Sequence, residues 1–225
     1  MNPEQYDAWY RTPRGAWIGE VEFRLLIDLL RPRPGDSLLD VGCGTGYFSR
    51  RFAREAGLRV TGIDPDFRSL AFAQAQCRPG EAYVAGHAER LPFADRSFDC
   101  TACVTALCFI AGQQQALREM LRVTRRRLVL GLLNRRSLLN LREGLGSGRG
   151  GYRGAHWHTA AEVRALFRGL PARGLDLRSA VVWPSGGPVA QGVERLWPAR
   201  WLFGGFLACA AAPLCGNTPD PAARR

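Results

Sequence analysis

The sequence predicts an α/β fold: a three-layer sandwich with helices on both faces of a mostly parallel sheet. Two observations carry that expectation. Short apolar runs alternate with segments of helical period, and each strand-to-helix step is shorter than about 30 residues. The first such run, Leu38-Leu39-Asp40-Val41, passes directly into three alternating glycines, Gly42, Gly44 and Gly46, before helical spacing resumes at Tyr47 and Phe48. Strand, glycine turn and helix together make a cradle in which backbone atoms approach a ligand.

The elements follow in order. Ile18, Val21, Glu22, Leu25, Leu26 and Leu29 form a mostly apolar stripe at helical spacing. Pro32 and Pro34 end that helix, and Gly35-Asp36 turn the chain into a buried strand over 37–41. Phe48, Phe52 and Ala56 mark a helix over 47–56 closed by Gly57. "LRVTGID" reads as the second strand, 66–77 as a helix, "AYVAG" as the third strand and "SFDCTACVTAL" as the fourth. Leu117, Met120 and Leu121 mark a helix over about 113–124, followed by a fifth strand at 127–133. "EGLGSGRGGYRGAHWH" carries six glycines in 16 residues and reads as a loop. Thr159 and Glu162 make a capping box that opens another helix. "LDLRSAVVWP" and "WLFGGFLACAAA" read as two late strands around a helical segment near 189–200.

At 225 residues the chain fits one domain. Its formal charge of +11 raises the possibility of a nucleic-acid partner, but all 31 basic residues are arginine, dispersed along the chain, and Arg125-Arg126-Arg127 is the longest run. A solvated basic surface is therefore the favoured reading, and a nucleic-acid partner is not expected. The seven cysteines form no metal-ligand pattern, so no metal is expected. Cys100 and Cys103 lie three apart in an apolar run, which on a strand points them to opposite faces. No targeting segment stands out at the N-terminus, and the apolar stretch "WLFGGFLACAAAPLCG" is too short for a membrane span. A cytoplasmic protein is expected.

The glycine turn narrows the ligand. Gly42 and Gly44 allow close backbone approach, and Asp64, 18 residues after Gly46, ends the next strand, where a carboxylate can accept both ribose hydroxyls of an adenosine. NAD and S-adenosylmethionine both satisfy this much. The spacing is GxGxG and not GxGxxG, and Asp40 stands two residues before the first glycine. A carboxylate there is a poor neighbour for a pyrophosphate and a good one for a cationic ammonium or sulfonium. A Walker-type phosphate loop is excluded because the chain has no lysine.

"LLDVGCGTGYFS", "VTGIDPD", "AGHAERLPFADRSFD" and "EMLRVTRRRLVLGLLNRRSL" together resemble the successive motifs of class I S-adenosylmethionine-dependent methyltransferases, most of all the branch with the type 11 methyltransferase domain. The resemblance covers about residues 20–135. It implies a Rossmann-like sheet of seven strands with the last antiparallel, and S-adenosyl-L-methionine as cofactor. It implies that Asp40 and the Gly42, Cys43, Gly44 backbone hold the methionine part, and that Asp64 binds the ribose. By the same resemblance, "HAERLPF" lines the adenine through His87 and Ala88, and the backbone from Cys103 to Thr105 meets the cofactor's amino group. Two positions depart from the family. His87 stands where an aspartate commonly accepts from the adenine amine, and "VTRRRLVLG" stands where a Pro-Gly turn is usual.

Methyl transfer from a sulfonium needs mainly proximity and alignment, with a base only if the acceptor must lose a proton early. Acceptor recognition is expected outside the cofactor motifs. Residues 1–17, with Tyr6, Trp9, Tyr10 and Arg14, read either as a lid over the cofactor or as an arm packed on the helical layer. Residues 18–215 form the methyltransferase domain, with a substrate-side insertion at about 137–170 and a flexible tail at 216–225. In that insertion Arg153 is a candidate anion contact, and His156 and His158 are weak candidates for a base; a structural role for both histidines is the favoured reading, since His158 adjoins a helix N-cap. Neither an Asn-Pro-Pro-Tyr-like run nor a Pro-Cys nucleophile is present, which directs the expectation to a small-molecule acceptor. An RNA or protein acceptor, or a cofactor-binding partner without activity, are the alternatives.

Overall fold

The computed structural model describes residues 2–144 and 150–214. Among them are α1 (Pro3–Trp9), α2 (Pro13–Leu30), β1 (Ser37–Val41), α3 (Tyr47–Ala56), β2 (Arg59–Asp64), α4 (Phe67–Ala75), β3 (Glu81–Ala85), β4 (Phe98–Val104), α5 (Gln113–Val123), β5 (Thr124–Leu133), α6 (Ala160–Leu166), β6 (Ala172–Ala180), α7 (Pro188–Leu196) and β7 (Phe206–Pro213). The strands form one seven-stranded sheet in the order β3-β2-β1-β4-β5-β7-β6. β7 runs antiparallel to both neighbours, β5 and β6, and the remaining pairings are parallel. This is the Rossmann-like sandwich with an antiparallel last strand that the sequence predicts.

Strand alternation builds two cores, one on each face of the sheet. Leu38, Cys100, Ala102, Val129, Phe206 and Ala208 pack towards α2 and α3. Leu39, Cys103, Leu128, Leu130, Leu207 and Cys209 pack towards α5 and α6. Cys100 and Cys103 do fall on opposite faces, both fully buried.

Several boundaries differ from the sequence expectation, each for a local reason. α2 begins at Pro13, five residues before the apolar stripe, because Thr12 caps it by accepting from Gly15 N–H and proline suits the first turn. β5 begins at Thr124, directly after α5. The Thr124 hydroxyl donates to Met120 O and pairs with Thr101 Oγ1, so one residue both closes the helix and opens the strand. Arg125 and Arg126 start a strand because Asp99 and Asp36 pair with them. β6 ends at Ala180. Val181 takes a left-handed φ of 63°, and the Glu194 carboxylate accepts from the N–H groups of Val181 and Val182, so the chain leaves the sheet there. Residues 216–225, expected to be a flexible tail, lie outside the described residues, as do 145–149 of the expected insertion. Among the described residues no helix is long and apolar enough to cross a membrane.

The N-terminal segment is fixed to the domain. Asp7, buried on α1, pairs with the buried Arg50 of α3, and Arg50 also donates to Thr45 O at 2.6 Å. The Tyr10 ring stacks on Tyr47 with centroids 3.6 Å apart.

Candidate functional site

The carboxyl ends of β1, β2 and β4 surround a cavity of about 460 Å³. β1 delivers Asp40 into it, and the chain then turns on Gly42 and Gly44. Both adopt positive φ, 72° and 52°. A Cβ on Gly42 would lie 2.1 Å from Ala106 Cβ, so that glycine lets the turn pack on the chain after β4. A Cβ on Gly44 would meet no protein atom within 4 Å and would occupy cavity space. Gly42 and Cys43 N–H both donate to Ile63 O, at 2.7 and 3.1 Å. Gly44 N–H donates to Asp64 Oδ2 at 2.8 Å, and Asp66 N–H to Asp64 Oδ1 at 2.9 Å. Asp64 thus holds the glycine turn while each of its oxygens keeps a lone pair for a further donor.

Asp40 is 2% exposed and accepts from Ser49 Oγ at 2.6 Å. Burial pushes its carboxyl up to about 7, against the Ser49 hydrogen bond and with help from Asp64. A cation brought beside it would restore the charge. Thr45 Oγ1, also at this cavity, is buried with no hydrogen-bond partner among the described residues. His87 is exposed and Ala88 buried on the opposite wall. Val104 and Thr105 close the end of β4, whereas the Cys103 side chain turns into the core.

A second cavity of about 300 Å³ adjoins the first. Tyr6, Thr105 and Phe109 line both. Its remaining walls include Trp9, Tyr10 and Arg14 from the N-terminal segment, Glu22 of α2, Tyr152, and apolar residues at the ends of β5 and β7. The structure therefore brings Tyr10 and Arg14 to this cavity. Arg153 is exposed and does not line it; its neighbour Tyr152 does.

His156 and His158 line neither cavity; they stand with Gln113 and Glu162 at a separate surface depression. His158 is fully buried, with Nε2 3.1 Å from Gln113 Oε1 and Nδ1 3.8 Å from Cys108 Sγ. Burial lowers its imidazole to about 4, with His156 adding to the shift. Its backbone bridges β5, donating to Leu133 O and accepting from Arg135 N–H. It ties the segment before α6 to the sheet.

Sequence reading did not single out Phe109, Thr45 or Glu22 as site residues. The sequence signal for Glu22 was its place as the one acidic residue in the apolar stripe of α2.

Comparison with known proteins agrees with this geometry. A family model described as a methyltransferase domain matches residues 39–130. An uncharacterized protein of Mycobacterium tuberculosis is 33% identical over 223 residues, covering 96% of this chain and 73% of that protein. Demethylmenaquinone methyltransferase of Renibacterium salmoninarum is 40% identical over 102 residues, 45% of this chain and 42% of the relative. The matched segment thus spans less than half of either protein. The crystal structure of a SAM-dependent methyltransferase from Thermotoga maritima superposes with a TM-score of 0.72 at 23% identity, covering 93% of this chain and 95% of that one, and shows the shared fold. The chain belongs to the class I S-adenosylmethionine-dependent methyltransferases, in the branch carrying the type 11 methyltransferase domain. It is an enzyme, and its cofactor is S-adenosyl-L-methionine.

The first cavity fits that cofactor on three counts. Gly44 leaves space that a side chain would fill. Thr45 Oγ1 is a buried hydroxyl in want of a partner. Asp40 is a buried carboxyl with no cation beside it among the described residues.

Proposed function

We propose that the enzyme methylates a small, largely apolar molecule held in the second cavity, by in-line displacement. One observation carries the reading: the two cavities share Tyr6, Thr105 and Phe109, so ligands in them meet at a common wall. When bound in the first cavity, the cofactor supplies a methyl group activated by its sulfonium.

The chain's own residues do the rest. Asp40 faces the cationic methionine end, and Gly42, Cys43 and Gly44 admit it against the backbone. Asp64 accepts from the ribose hydroxyls while continuing to hold the turn. His87 and Ala88 flank the adenine. Thr105, held by its N–H donating to Gly131 O at 2.8 Å, and Phe109 set the depth to which an acceptor advances. α1 excludes water from above, anchored by Asp7 and Arg50. Tyr10 and Arg14 contact the acceptor from the N-terminal side.

A small acceptor is supported by the size of the second cavity, at the lower end of the ~300–1,000 Å³ usual for small-molecule sites. The test is calorimetric titration with S-adenosylhomocysteine, followed by labelled-methyl transfer to fractionated metabolites, RNA and protein. Asp64→Ala is expected to weaken S-adenosylhomocysteine about tenfold or more, and label is expected in the metabolite fraction. Label confined to RNA or protein would refute the small-molecule reading.

A further inference from the structure

We propose that Glu22 is the acceptor-contacting carboxylate of this enzyme, and that the acceptor is an organic amine with an apolar body. The inference rests on the second cavity's being the acceptor site. Glu22 lies on the face of α2 that otherwise enters the core, beside Ile18, Leu25 and Leu26. It lines the cavity, and among the described residues its carboxyl makes no hydrogen bond and no ion pair. In a chain with 31 arginines, a carboxyl left alone against an apolar cavity is set aside for something that enters it.

Three features point to an amine. The rings of Tyr6, Trp9, Tyr10 and Tyr152 stand around the same space, and ring faces together with a carboxylate favour a cation. Among the described residues the charged groups lining the cavity are Glu22, Glu143 and Arg14, which sum to one negative charge when both acids ionise, in a chain whose net charge is +11. Arg14 is itself engaged, its Nε donating to Pro184 O at 2.7 Å. An acidic acceptor would meet two like charges.

The other titratable groups facing Glu22 are the phenols of Tyr6, Tyr10, Tyr47 and Tyr152. All four are held above their ordinary range, chiefly by burial, and stay neutral through the working pH range. Burial alone pushes the Glu22 carboxyl up to about 8. An entering ammonium therefore displaces a proton from Glu22 and pairs with the carboxylate. Before transfer, Glu22 takes back one proton from the ammonium, which frees the nitrogen lone pair. The nitrogen–carbon bond then forms as the carbon–sulfur bond breaks, with that electron pair left on sulfur. Glu22 releases that proton to solvent as the N-methylammonium product forms its own pair, and regains one from solvent when the product leaves; with the proton displaced on entry, the net is one proton released per turnover.

The test is calorimetry at pH 7 on protein loaded with S-adenosylhomocysteine, in two buffers of different ionisation enthalpy. Phenethylamine, tryptamine and hexylamine are the probes, with 2-phenylethanol and phenylacetate as neutral and acidic controls. At least one amine is expected to bind with release of about one proton, and the controls are expected to bind weakly and without it. Glu22→Gln is expected to weaken that amine about tenfold or more and abolish proton release, while Glu22→Asp retains part of both. S-adenosylhomocysteine affinity stays unchanged in both variants. Equal binding of 2-phenylethanol and the amines, indifference to Glu22→Gln, or binding of no amine while S-adenosylhomocysteine still binds overturns the inference alone. Failure of S-adenosylhomocysteine to bind the unmodified protein removes the cofactor site and this inference together.

Discussion

Alanine at Gly44 and at Gly42 separates what the glycine turn does for the fold from what it does for the ligand. Both residues sit in the left-handed region, where a side chain costs about 1–2 kcal/mol. At Gly44 the added methyl meets nothing of the protein, so backbone strain is the whole expected loss of stability, ~1–2 kcal/mol. At Gly42 the methyl would sit 2.1 Å from Ala106 Cβ. Relief of that overlap adds ~1–3 kcal/mol, for a total of about 2–5 kcal/mol. Ligand affinity should reverse the ranking relative to stability. Gly44→Ala puts its methyl where the cofactor's methionine end is proposed to lie, so S-adenosylhomocysteine should weaken tenfold or more, about 1.4 kcal/mol for each factor of ten. Urea unfolding gives the first quantity and calorimetry the second. A Gly44→Ala protein that loses ~1–2 kcal/mol of stability yet binds S-adenosylhomocysteine normally would refute the reasoning, because the bare position would then serve only the turn.

Three further outcomes follow from the same geometry. Asp7→Ala leaves the buried Arg50 unpaired and should cost ~3–5 kcal/mol, whereas Asp7→Leu combined with Arg50→Met should cost clearly less; urea unfolding of both variants decides this. Asp40 is raised to about 7 in the folded protein, so that state binds more protons than the unfolded chain between about pH 4 and pH 7. The Asp40 contribution to ligand-free stability is therefore full below that window and lost as pH rises through it, and Asp40→Asn should flatten this part of a urea-midpoint profile. His158→Ala should cost ~1–3 kcal/mol through the lost contacts to Gln113 and Cys108 while S-adenosylhomocysteine affinity stays unchanged; a loss of affinity would return His158 to the site.

The candidate cofactor cavity was legible in the sequence because it depends on backbone. Glycines at fixed spacing and a carboxylate ending the next strand are constraints that a linear reading can recover, and Asp40, Gly44 and Asp64 stand together at one cavity. The acceptor side depends on depth and on contacts between distant segments. Helical spacing shows that Glu22 shares a face with Leu25 and Leu26, but not that the face divides between a core and a cavity. The stacking of Tyr10 on Tyr47 joins residues 37 apart and leaves no periodic trace. His158 looked chemically available beside a glycine-rich loop, yet two strand-bridging backbone hydrogen bonds and burial commit it to packing. The strand break at Val181 arises from Glu194, 13 residues later, and no property of "SAVVWP" itself announces it.

Tyr6 borders both compartments from a helix of only seven residues. A displacement of α1 would therefore alter a wall of both cavities at once. The Asp7–Arg50 pair fastens that helix to α3, and Arg50 also donates to the Thr45 carbonyl inside the glycine turn. A single guanidinium thus ties the N-terminal helix to the turn that lines the first cavity.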